Sequence, residues 1–102
     1  MPFVEHTIKG VERYMADDSL PFDRLRMHVS ELEPGKNSHP PHTHDGVEAF
    51  YVLEGEGTLE FDGQPYVIRA HETMVIDPTR LHGLTNTGST RLRYVVMISR
   101  EV

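Results

Sequence analysis

The sequence contains no cysteine. That excludes thiolate metal sites, catalytic thiols and a disulfide framework. Long apolar runs are also missing, and no stretch approaches the ~20 residues that a membrane-spanning helix needs. The first residues, MPFVEHTIKG, have neither the basic start nor the long apolar core of a secretory signal. A soluble, cytoplasmic protein is the expectation. Positive charge is scarce as well. Ten Lys and Arg against sixteen Asp and Glu leave a net charge of -6. An acidic surface repels phosphate backbones, so no nucleic-acid partner is expected, and without an apolar span no membrane partner is expected either. Arg91, Arg93 and Arg100 make a small basic cluster that a solvated strand face would explain.

What is present points to one globular domain. A chain of 102 residues has room for a single core. Residues 24–102 read as that domain and residues 1–23 as an N-terminal arm, which could pack on a dimer partner. Within the arm, GVERYMADDS would allow a short helical turn with Val11, Tyr14 and Met15 on one side. From Arg24 onward the pattern is that of strands. RLRMHVSEL alternates Leu25, Met27 and Val29 with Arg26, His28 and Ser30, and Pro34-Gly35 then turns the chain. VEAFYVLE, TLEF, QPYVIR, TMVID, GLTN and RLRYVVMIS follow as further strands, and Asp62-Gly63 marks a hairpin. Seven to nine short strands without a crossover helix predict an all-β sandwich or small barrel.

The chemistry concentrates between Pro34 and Gly57. His42 and His44 are two apart, so on an extended chain their imidazoles share a face. Glu48 follows four residues later, and His82 lies far along the chain with Asn86 four residues beyond it. Three imidazoles and one carboxylate suit a divalent transition metal with positions left open for water or ligand. Neutral imidazoles would leave such a centre positively charged and attractive to anionic oxygen ligands. Other histidines read differently. His39, before Pro40-Pro41, belongs at a rim, and His71 in an exposed turn. Arg26 and His28 become pocket residues only if their strand face lines the barrel. Phe50, Tyr51 and Tyr94 are core candidates first, although Tyr94, Arg26, His28 and Glu48 are also the available catalytic candidates.

These residues resemble the two motifs of the cupins. Gly35, His42, His44, Glu48 and Gly55 fit the first, with one extra residue in the first gap. HETMVIDPTRLHGLTN keeps the histidine and asparagine of the second as His82 and Asn86, while His71, Asp77 and Thr79 replace its Gly, Pro and Gly. The resemblance covers roughly residues 24–99. It implies a jelly-roll β-barrel with a metal inside, held by His42, His44, Glu48 and His82, the metal being Zn, Ni, Mn, Fe, Co or Cu. It also implies a homodimer, through sheet pairing or exchange of the N-terminal strand. Cupins include dioxygenases, isomerases, epimerases, decarboxylases, lyases, sugar-binding and storage proteins, so the family leaves the chemistry open. A metalloenzyme of dioxygenase, isomerase or lyase type acting on a small anionic or oxygen-rich molecule is the leading expectation. A non-catalytic metal-dependent binding or sensor protein is the alternative. Because the chain is short, the ligand is expected to be small or only partly enclosed.

Overall fold

The computed structural model describes residues 3–8, 10–38 and 43–100, with only the backbone of residues 3–8. Every regular element among them is a strand: β1 (Phe3–Ile8), β2 (Val11–Met15), β3 (Leu25–Leu32), β4 (Val47–Glu54), β5 (Glu56–Phe61), β6 (Gln64–Arg69), β7 (Thr73–Ile76), β8 (His82–Thr85) and β9 (Leu92–Ser99). The helical turn expected at GVERYMADDS does not form. Val11–Met15 instead pairs antiparallel with β1, with Ile8 opposite Val11 and Gly10 at a φ of 74° in the tight connection. Val11, Arg13 and Met15 are half-buried while Glu12 and Tyr14 are exposed, which is period two and not 3.6.

The remaining strands form two sheets, ordered β3-β9-β4-β7 and β6-β5-β8, with all their pairings antiparallel. This is the jelly-roll arrangement. Strand β4 shows why its sequence works. Glu48, Phe50 and Val52 are buried, while Ala49, Tyr51 and Leu53 lie on the other face and are only half-buried. Leu92, Tyr94 and Val96 do the same on β9. Leu59, Ile68 and Leu84 meet them from the second sheet and complete the core.

Two turns explain how the chain departs from the cupin motifs. His71, where the second motif has its first glycine, takes a φ of 68°. Its N–H donates to the Val52 carbonyl at 2.7 Å, and its Nδ1 lies 3.2 Å from the Tyr51 hydroxyl. Histidine is among the residues that tolerate this left-handed region. At the expected Pro-x-Gly, the Asp77 carboxylate accepts from the Thr79 N–H at 3.0 Å and from the Thr79 hydroxyl at 2.6 Å. The Arg80 N–H closes the turn on the Asp77 carbonyl. A side-chain turn thus replaces one set by proline and glycine. Those two bonds from Thr79 hold the Asp77 carboxyl below its ordinary range.

Candidate metal centre

Glu48 sits on β4 between Ile76 of β7 and Ile98 of β9, facing the interior. His82 opens β8 in the opposite sheet. His44 lies in the segment leading to β4, and its N–H donates to the Pro78 carbonyl at 2.8 Å. That bond ties the first histidine region to the turn ahead of His82. The three side chains meet. His44 Nε2 is 2.6 Å and His82 Nε2 3.2 Å from Glu48 Oε1, and the two rings stand edge to face at 5.1 Å between centroids. His82 and Glu48 are buried and His44 is nearly so.

The protonation pattern follows from the backbone. His44 Nδ1 lies 3.0 Å from the Asp45 carbonyl, and His82 Nδ1 lies 2.9 Å from the Arg80 carbonyl. A carbonyl only accepts, so each Nδ1 carries the proton and donates it. In the neutral rings the Nε2 lone pairs are then the ones that converge on Glu48. Glu48 Oε1 accepts no hydrogen bond among the described residues. Two lone pairs and a carboxylate oxygen brought together in a buried place call for a proton or a metal cation among them. This donor set therefore fits a divalent transition metal, and the carbonyl-bound Nδ1–H groups are the outer supports that fix ligand rings in such sites. His42 and His39 lie outside the described residues.

Behind Glu48 is a cavity of about 750 Å³ that reaches past the edge strand β3. Val29, Glu31 and Arg93, on the outer side of β3 and β9, are among its lining residues, so the cavity is only partly enclosed. His28 and Tyr94 line it, as does His44. Arg26 shares a strand face with His28 but is not among the lining residues, so the structure does not bring it to the cavity. Tyr94 is buried, and burial raises its pKa above the ordinary value of 10.0, although the Ser30 and Ser38 side chains that hydrogen-bond with its hydroxyl pull the other way; the negative charge of Glu48 adds to the rise. The phenol stays protonated at neutral pH. Sequence reasoning missed both serines. Ser30 could have been found from its alternation with His28 on β3, whereas Ser38 sits in an irregular segment with no pattern to mark it.

Asn86 is buried and has no part in the cation site. Its amide donates to the Leu32 and Thr90 carbonyls at 2.8 Å each and its oxygen accepts from the Gly88 N–H, so it braces the turn between β8 and β9.

Known proteins place this arrangement. The family model described as "Cupin domain" matches residues 28–98. An oxalate-binding protein of Thermotoga maritima is 35% identical over 69 residues, covering 67% of this chain and 56% of that protein. The HTH-type transcriptional regulator PuuR of Escherichia coli is 28% identical over 92 residues, covering 90% of this chain and 50% of the regulator. Among solved structures, a predicted oxalate decarboxylase from Thermotoga maritima superposes with a TM-score of 0.70 at 27% identity, over 87% of this chain and 78% of that one. The chain spans about half the length of these two curated relatives. With a transcriptional regulator among them, the acidic net charge no longer argues against a nucleic-acid partner for a protein carrying this domain. No helix among the described residues is long and apolar enough to cross a membrane. The matched motifs, the two antiparallel sheets and the inward-facing His and Glu side chains agree, and the chain belongs to the cupin family.

Proposed function

We propose that this cupin binds a small carboxylate through oxygen at a single divalent transition metal held by His42, His44, Glu48 and His82, and acts on it as an enzyme. The observation that carries the reading is the convergence of two imidazole Nε2 atoms and the Glu48 carboxylate beside a large cavity. Oxalate in the names of two similar proteins makes that dianion the first candidate. The metal, Zn, Ni, Mn, Fe, Co or Cu, would supply Lewis acidity to a coordinated oxygen, or redox chemistry if it is Fe, Mn or Cu. The chain's own contribution is to fix the two rings through the Asp45 and Arg80 carbonyls and to line the cavity beside them with Phe50, Val96 and Ile98.

The test uses metal-loaded and metal-stripped protein, titrated with oxalate by calorimetry and then assayed for carbon dioxide, formate and peroxide. Metal-dependent binding with turnover is the expected result. Equal binding to both forms would remove the metal from the ligand site and sink the reading. Binding without turnover would favour the second reading, a ligand-sensing module, which the match to a transcriptional regulator over most of this chain supports.

The same reading includes a homodimer. The outer face of the four-stranded sheet carries adjacent apolar rungs, Met27–Met97–Ala49–Val75 and Val29–Val95–Tyr51, and Val75 is 63% exposed. A contiguous face of this kind calls for a cover, and a second copy supplies one. Light scattering should give twice the chain mass for the wild type and a lower mass for Val75→Glu. A single-chain mass for the wild type at micromolar concentration would overturn it.

A further inference from the structure

The cavity has a second polar pole that the metal centre does not use. Tyr94 on β9 pairs with Ser30 on β3 and with Val52 on β4. Its hydroxyl also meets Ser38, across the interior in the segment held beside β8 by the Asn37–Thr85 bridge and by the Ser38 N–H to Leu84 carbonyl bond at 2.9 Å. The rung of Tyr94 and Val52 is four residues along β4 from Glu48, about 13 Å of backbone at ~3.3 Å per residue. Between the two poles runs the rung Val96–Phe50, whose side chains are apolar and buried, with His28 at its β3 end.

We propose that the Tyr94–Ser30–Ser38 hydroxyl cluster is a second anchor for the ligand, selecting an elongated carboxylate with an apolar middle and an uncharged oxygen acceptor at its far end. Proton counting supports the donor role. Three hydroxyls joined by two hydrogen bonds use two of their three protons, and the third is left for a further acceptor, which a ligand in the cavity can supply. Charge decides against a second carboxylate at that end. Glu48 acts on Tyr94 with a negative field, and the one arginine lining the cavity among the described residues, Arg93, has its Nε 3.3 Å from the Glu31 carboxylate. A carbonyl, ether or hydroxyl oxygen can take the proton without a counter-charge. Size agrees, because the cavity extends from Glu48 and His44 past Phe50 and Val96 to Tyr94, Ser30 and Ser38, further than a two-carbon acid reaches.

This inference rests on the metal-centred reading above, so the test separates the two. The probes are oxalate, 4-acetylphenylacetate and 4-isopropylphenylacetate, titrated into metal-loaded wild type, Tyr94→Phe and Ser38→Ala. The last two acids have nearly the same shape, and only the acetyl group can accept a hydrogen bond. The wild type should prefer the acetyl acid by about fivefold, as one neutral hydrogen bond allows. Tyr94→Phe should lose that preference while keeping its metal content and oxalate affinity. Ser38→Ala should reduce the preference, and it keeps the question answerable if Tyr94→Phe does not fold. Two results would overturn the proposal while leaving the metal-centred reading intact. One is an acetyl preference that survives in both variants. The other is binding of oxalate alone. Failure of all three probes on metal-loaded protein would overturn both.

Discussion

Changing His82 or Glu48 to glutamine should cost the protein its metal. The wild type is expected to carry about one divalent ion per chain, and both variants much less by elemental analysis. Loss of a supporting group around a ligand already lowers metal affinity ~10–100-fold, and loss of a ligand lowers it further. Stability reads the same event. An ion present at 100 times its dissociation constant stabilises the folded chain by about 2.7 kcal/mol, whereas a 100-fold weaker site at the same concentration leaves about 0.4 kcal/mol. For a domain of this size that difference is on the order of 10 °C in Tm. Wild-type metal content and metal-induced Tm shift in both variants would rule out this site.

Gly55→Ala should be among the most damaging single-methyl changes in the chain. Gly55 has a φ of 88° at the junction of β4 and β5, and a Cβ there would point into the Arg91 carbonyl and lie 3.0 Å from the Leu92 Cα. Both obstacles are backbone of the strand β9 and its approach, so neither can rotate away. Left-handed strain costs ~1–2 kcal/mol, and forced overlap adds ~1–3 kcal/mol. The sum, on the order of 3 kcal/mol, is a large share of the ~5–15 kcal/mol that holds a domain together. Gly63 is the control. It has a similar φ of 81° with no atom within 4 Å of an added Cβ, so Gly63→Ala should show the strain alone. Urea unfolding midpoints check both. Equal losses at the two glycines would mean that crowding against Arg91 does not matter.

The final glycine of the first cupin motif is thus a matter of packing, while its histidine and glutamate are a matter of chemistry, and the sequence alone marks all three alike. Strands β3 to β9 were readable because their apolar residues alternate and turn residues separate them. The Asp62-Gly63 hairpin was readable for a sharper reason, since both residues have positive φ, 53° and 81°, as its two-residue turn demands. The N-terminal hairpin was not readable. Val11, Tyr14 and Met15 fit a helical spacing as well as Val11, Arg13 and Met15 fit a strand, and the pairing with β1 that decides between them is not local. His44, Glu48 and His82 could be chosen from spacing. What orients them could not, because the Asp45, Pro78 and Arg80 groups involved are backbone carbonyls that any residue could supply. That a ligand would be small or only partly enclosed could be read from chain length, but the volume of the cavity could not. Interior volume depends on how far apart two sheets stand, and no single strand records that.

Strand β4 carries Glu48 of the candidate metal centre on one side and the half-buried apolar rungs on the other, with the roles assigned by parity. Loss or gain of one residue between Glu48 and Tyr51 would reverse the faces on one side of the change, so that Glu48 and the Ala49–Tyr51 rungs no longer alternate as they do and chemistry is uncoupled from assembly. The strand does accommodate an extra residue further on, at the register shift between Val52 and Glu54 opposite β9. Descendants of this protein should therefore vary around Glu48 by replacement, and their length differences should gather from Leu53 onward and in the turns.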